Sequence, residues 1–113
     1  MPRVFVYGSL KRGRSNHRLL ETSLFVSERS TKDKFTLLNL GAFPAVTEKP
    51  TCNIEGELYD VDNNTFERLD RLEGYPDFYD RKEVELDSGD KAWMYYVQPE
   101  EYENSPVVES GNW

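Results

Sequence analysis

Val4, Phe5, Val6 and Tyr7 form an unbroken apolar run that stops at Gly8 and Ser9 and gives way to the basic stretch Lys11 to Arg14. A short apolar run bounded by turn residues predicts a buried first strand over residues 4–7. Residues 11–16 then read as a polar loop. Residues 17–24 read as a short helix or irregular turn with Leu19, Leu20 and Leu24 inward. Strands are predicted over 25–30 and 35–39, joined by the polar segment 31–34. Residues 41–46 form a loop entering a short strand, with Pro44 at an edge or bend because it cannot donate to a ladder. Residues 54–61 alternate. Ile54, Gly56 and Leu58 share one face, and Glu55, Glu57, Tyr59 and Val61 share the other. Gly56 inside that strand predicts a bulge or the close approach of another group.

Helical periodicity is clearest over residues 62–72, where Phe66, Leu69 and Leu72 form one apolar stripe. Asp62, Asn63 or Asn64 caps its start, and Gly74 followed by Pro76 marks its end. Residues 79–86 and 92–97 read as a hairpin closed by Asp87 to Asp90, with Trp93, Tyr95 and Val97 on one face. The acidic stretch after Gln98 gives way to Pro106–Val107–Val108 and a final Trp113, a pattern that predicts docking back onto the domain.

With 113 residues the chain has length for one domain, and its fifteen Phe, Tyr and Trp rings can fill a small core. The net charge of −7 argues against general nucleic-acid binding. Charge is uneven: residues 1–34 hold eight Lys or Arg against three acids, and the remainder holds six against eighteen. That imbalance fits a site for an anionic ligand, or a solvated surface on which the two halves pair. Cys52 is alone, which excludes an internal disulfide and predicts a thiol in a reducing compartment. With His17 as the single histidine, a zinc site lacks its usual ligands. Neither a secretory h-region nor a membrane-length apolar run occurs, so the expected setting is soluble and cytoplasmic.

Two stretches carry candidate chemistry. In RLEGYP (71–76), Glu73 follows Leu69 by four residues and Phe66 by seven, so on a helix the three share a face. A carboxylate there meets the negative end of the helix dipole and loses water. Both effects raise its pKa toward the range useful to a general acid/base near neutral pH. A small rotation would instead leave Glu73 in solvent, where helix-end glutamates usually sit. In YGSL (7–10), neither a P-loop nor a Gly-x-Gly-x-x-Gly pattern is present. The turn is either ordinary punctuation or a nest of consecutive N–H groups for an anion.

Together these stretches resemble the γ-glutamylcyclotransferase-like (AIG2-like) family. Tyr7, Gly8, Ser9 and Leu10 match its opening signature. Leu72, Glu73, Gly74, Tyr75, Pro76, Tyr79 and Arg81 match the context of its catalytic glutamate. Ser110, Gly111, Asn112 and Trp113 are similar to its closing motif, with Asn in place of Asp. The stretch from Gly8 to His17 is most similar to the γ-glutamylamine cyclotransferase branch, since Leu10 stands where longer glutathione-acting members carry Asn.

The resemblance implies one α+β domain over residues 1–113, a small mixed, partly closed β-barrel of five or six strands with one or two helices. It implies a pocket between the Tyr7–Leu10 loop and a catalytic Glu73, with Tyr7, Gly8, Ser9, Leu10, Phe43, Pro44 and Tyr79 around the substrate. Phe43 and Pro44 also fit a core ring beside an edge proline, and Tyr79 and Arg81 a strand-start ring and its surface partner. His17 is given no catalytic role. The implied reaction converts a γ-glutamyl amine or γ-glutamyl amino acid to 5-oxoproline and a free amine. It needs no metal or organic cofactor. The expected partner is that small-molecule substrate, with no nucleic acid or membrane, and the expected state a monomer or weak homodimer. Competing expectations are a non-catalytic ligand-binding module, an enzyme that removes a γ-glutamyl protecting group from an amine, and an interaction domain whose acidic face from Glu48 onward meets a basic partner.

Overall fold

Strand β1 (Arg3–Val6) is buried on both faces, which places it in the middle of a sheet and not at an edge. In the computed structural model, which describes residues 1–102 and 104–113, its antiparallel neighbour is β5 (Glu55–Asp60) and its parallel neighbour is β7 (Lys91–Tyr96). The outer strands are β2 (Leu24–Ser30) beside β5 and β6 (Asp80–Glu85) beside β7, so the sheet runs β2-β5-β1-β7-β6. A separate two-stranded hairpin pairs β3 (Phe35–Asn39) with β4 (Pro44–Cys52). One α-helix, α1 (Asn63–Glu73), and two short 3-10 turns, His17–Leu20 and Pro99–Glu101, complete the described residues.

The alternation in β1 divides the interior. Val4 and Val6 join Tyr59, Val61, Tyr95 and Val97 in the layer covered by Leu69 of α1. Phe5 and Tyr7 join Leu58, Ala92 and Met94 in the layer covered by Phe35, Leu37 and Val46 of the hairpin. The helix begins as its sequence dictates: the Thr65 N–H donates to Asp62 Oδ1 at 2.6 Å. The β6–β7 hairpin closes where expected, with Leu86 N–H donating to the Asp90 carbonyl at 2.8 Å. Gly56 marks a close approach: a Cβ there would lie 2.3 Å from the Val6 carbonyl oxygen. The tail docks, since Val108 N–H donates to Leu37 and Glu55 N–H donates to Gly111, each at 2.8 Å. Trp113 packs half-buried against the second layer.

The α+β class stands, but several expectations need correction. The sheet is not closed into a barrel. Its edge strands approach only at their ends, through the isolated bridge between Thr31 and Leu86. Closure would serve to bury the inner face, and the β3–β4 hairpin already covers that face. The sheet holds five strands, within the expected number, and among the described residues the hairpin adds two more that stand apart from it. β4 is nine residues long, not short, and tolerates Pro50 because its second half is exposed on a two-stranded ribbon. Within residues 17–24 the 3-10 turn covers His17–Leu20 and buries Leu20, while Leu24 starts β2 and is exposed. Leu72 likewise leaves the buried stripe. No helix among the described residues is long and apolar enough to cross a membrane.

Candidate active site

Glu73 is the last residue of α1, and the turn after it builds one wall of a cleft. Gly74 takes the left-handed conformation at φ 67° and sends its N–H back toward the helix's final carbonyls. The chain then passes a cis Tyr75–Pro76 bond and folds back. Phe78 N–H donates to the Gly74 carbonyl at 2.8 Å and Tyr79 N–H to the Glu73 carbonyl at 3.2 Å. The helix end, Phe78 and Tyr79 therefore form one unit. Gly74→Ala forces a side chain into the left-handed region and is expected to cost about 1–2 kcal/mol. A urea midpoint equal to that of the wild type would contradict this.

The facing wall comes from the loop after β1. Gly8 lies so near Pro44 that a Cβ would sit 2.5 Å from its ring Cγ. Lys11 N–H donates to the Gly8 carbonyl at 3.0 Å and Asn16 N–H to the Ser9 carbonyl at 2.9 Å. Asn16 Nδ2 also donates to Ser9 Oγ at 3.0 Å, and the His17 ring meets the Leu10 carbonyl at 3.0 Å. The loop's carbonyls are thus occupied. By contrast, the N–H groups of Gly8, Ser9 and Leu10 donate to no acceptor among the described residues. Backbone N–H groups left unpaired at a cleft are a site for an anion.

Between these walls lies a cleft of about 330 Å³, the size class of small-molecule sites. It brings together Tyr7, Gly8, Ser9 and Leu10 from the first loop, Phe43 and Pro44 from the β4 entry, and Glu73 and Tyr79 from the helix end. Sequence reasoning missed Asn16, Ala42, Phe78 and Tyr95, which line the same space. Phe78 had a signal of a kind, an aromatic residue in a turn directly before Tyr79. Tyr95 had none, because strand alternation assigns it to the core. Arg81 sits outside the cleft.

The electrostatics single out Glu73. Its carboxyl has no hydrogen-bond partner among the described residues, and burial alone pushes its pKa up to about 7. The tyrosines around it are committed. Tyr7 OH donates to the Tyr95 carbonyl at 2.8 Å, and Tyr79 OH donates to the Pro44 carbonyl at 2.7 Å. Burial, then the mutual proximity of Tyr7 and Tyr79 and the Glu73 charge, hold the Tyr7 phenol well above its ordinary value. Both hydroxyls therefore stay protonated and act as braces.

Behind the site, Tyr95 OH donates to Asp70 Oδ1 at 2.7 Å, and Arg81 Nε donates to the same oxygen at 3.0 Å. The Arg81 guanidinium lies over Phe66, Tyr75 and Trp93, 4.4–4.7 Å from their ring centres. This network ties α1, β6 and β7 together one helical turn before Glu73. A second buried acid, Glu57, is structural. Burial opposes its charge, but the Arg12 N–H, the Tyr59 hydroxyl and the Arg12 guanidinium outweigh that and hold it below the usual carboxylate range.

Comparison with known proteins agrees with this architecture. The family model described as "Gamma-glutamyl cyclotransferase, AIG2-like" matches residues 4–113. A protein of Methanocaldococcus jannaschii named "Putative gamma-glutamylcyclotransferase" is 43% identical, over 100% of this chain and 96% of its own length. One of the same name from Vibrio cholerae is 39% identical over 97% and 93%. The crystal structure of an AIG2-like protein from Mus musculus superposes with a TM-score of 0.85 at 28% identity, covering 96% of this chain and 86% of that one. With the motifs at both ends and in the middle falling inside the matched span, the chain belongs to the AIG2-like gamma-glutamyl cyclotransferase family.

Proposed function

We propose that the cleft cyclises a γ-glutamyl amide, releasing 5-oxoproline and a free amine, with Glu73 moving the protons. The observation that carries this reading is an unpartnered, half-buried carboxyl sharing a small cleft with three unpaired backbone N–H groups. The substrate supplies its own nucleophile. Its α-amine nitrogen attacks the γ-carbonyl carbon, and the bond from that carbon to the leaving nitrogen breaks. Ring closure is intramolecular, so much of the entropic barrier is absent. Ionised Glu73 takes a proton from the attacking nitrogen and returns it to the leaving nitrogen, so no water is consumed. The N–H groups of Gly8, Ser9 and Leu10 bind the α-carboxylate or the developing oxyanion. Tyr7, Tyr79, Phe43 and Pro44 shape the wall and hold the loop against it. The lone Cys52 thiol supports a cytoplasmic setting.

The sign of the pH dependence follows from the base role. Glu73 must be ionised in the free enzyme, so kcat/KM is expected to climb as pH rises through about 7. The measurement is 5-oxoproline release by mass spectrometry from a panel of γ-glutamyl amides across pH 5.5–8.5. A profile flat across that range, or no release from any member, would sink the assignment.

A further inference from the structure

We propose that Glu57 is a positioning residue for the site: its carboxylate fixes the return of the loop after β1 and so holds the Gly8, Ser9 and Leu10 N–H groups at the cleft. The inference rests on the cyclotransferase reading, which gives those N–H groups the substrate's α-carboxylate or oxyanion to bind.

Glu57 stands directly across from Val6, the last residue of β1, in the β1–β5 register. The two strands are in tight contact there, since a Cβ at Gly56 would lie 2.3 Å from the Val6 carbonyl oxygen. The Glu57 side chain then meets the same loop a second time, at Arg12. The Arg12 N–H donates to Glu57 Oε1 at 3.0 Å, and Arg12 Nε donates to Oε2 at 3.2 Å. The segment from Val6 to Arg12 is thus tied to one residue at both ends, by strand pairing at its start and by a carboxylate at its close. Gly8, Ser9 and Leu10 lie between the two ties.

The carboxylate reaches the loop from behind. Gly8, Ser9 and Leu10 line the cleft, whereas Glu57 lines a separate polar hollow with Lys11, Gly56 and Asn112. Glu57 is 7% exposed, and Tyr59 OH also donates to its Oε1, at 3.0 Å. Three donors converge on two oxygens, a demand that a carboxylate meets because it only accepts. A glutamine would set an NH2 group against one of the Arg12 donors, whichever way its amide turned. The Arg12 guanidinium is held as well by the Phe25 ring, 4.0 Å beneath it. Two further ties, Lys11 to Asn112 and Arg14 to the main-chain oxygen of Trp113, are exposed, where water competes for them.

The test titrates 5-oxoproline, the product of the proposed reaction, into isotope-labelled wild type and Glu57→Gln and follows the amide signals by NMR. Glu57→Gln is expected to shift the Gly8, Ser9 and Leu10 signals, to leave those of α1 in place, and to raise the Kd for 5-oxoproline by about tenfold or more. The kcat/KM for 5-oxoproline release from γ-glutamyl amides is expected to fall at least as far. Its pH midpoint is expected to stay that of wild type, because burial alone raises the Glu73 carboxyl. A role in fold stability alone would lower the folded fraction and leave the Kd of the folded molecules unmoved. Should Glu57→Gln fail to fold, Tyr59→Phe removes one of the three donors and is expected to raise the Kd about two- to threefold. A Kd equal to that of wild type in the folded variant, or a displaced pH midpoint, overturns the proposal and leaves the cyclotransferase reading standing. Absence of 5-oxoproline release by wild type from every γ-glutamyl amide overturns that reading, and this proposal with it.

Discussion

Glu73→Gln is expected to lower the rate of 5-oxoproline release by about 10²–10⁴-fold, the usual worth of a positioned acid/base. The same substitution is expected to stabilise the protein at pH 8. Gln keeps the volume and polarity of the side chain but cannot carry the charge that burial disfavours. The sign follows from linkage. Burial raises the folded-state value from an ordinary 4.5 to about 7. Below pH 4.5 both folded and unfolded chains hold the proton, and nothing is lost. Between those values the unfolded chain ionises while the folded one does not, so stability falls with rising pH. Above pH 7 the cost is complete, on the order of 2–3 kcal/mol after allowing for the part of the carboxyl that water reaches. Thermal melts of both proteins at pH 5 and pH 8 check this. The advantage of the Gln variant should widen with pH. A variant no more stable than wild type at pH 8 would show that the carboxyl is not under strain. A structural glutamate paired with a cation would give the opposite trend, so the melt separates the two roles even without a substrate.

Gly8→Ala is the second large effect, through shape and not charge. Its Cβ would stand 2.5 and 2.8 Å from two ring carbons of Pro44. A pyrrolidine ring has little freedom to swing aside. Pro44 is also fixed from behind, because Tyr79 holds its carbonyl and β3 pairs with it at Asn39. The strain therefore falls on the Gly8–Leu10 loop, which must back away from the cleft. Displacement by about 1 Å of the N–H groups proposed to bind the substrate is enough to cost about 10²-fold in activity. The overpacking itself costs about 1–3 kcal/mol of stability. Kinetics combined with urea unfolding would check both. Full activity in a stably folded Gly8→Ala protein would mean that the loop does not hold the substrate. Pro44→Ala in the Gly8→Ala background removes the clashing ring carbons and is expected to restore part of the lost stability.

Local signals in the chain translated well. Asp62 and Gly74 bracket α1 because caps depend on residues within one turn. The two faces of β5 separate into the two core layers because pleat alternation is also local. What the sequence hid is non-local. Nothing in residues 3–6 tells that β1 pairs in parallel with β7, some ninety residues on. The expected barrel failed for the same reason. Whether an inner face is covered by closure or by a hairpin depends on where β3 and β4 pack, and alternation is blind to that. The cleft was partly legible because its two motifs are contiguous stretches. Phe78 and Tyr95 were not, since each has the pattern of a turn or core residue and acquires its place from the fold. The Asp70–Arg81–Tyr95 network joins three elements, and no spacing rule predicts it.

The placement of β1 constrains how the protein is made. β1 precedes the other strands of the domain and is the centre of the sheet, yet one of its two neighbours, β7, ends at Tyr96. The loop that follows β1 is fastened later still, by Lys11 donating to Asn112 at 3.0 Å and by Arg14 reaching the main-chain oxygen of Trp113. During synthesis the apolar segment Val4–Tyr7 must therefore wait, unpaired on one side, until the strand Lys91–Tyr96 has been made. Completion of the sheet and fastening of the cleft loop become late, coupled events. A nascent chain halted before residue 97 would display that segment as an open template for chaperones or for other strands.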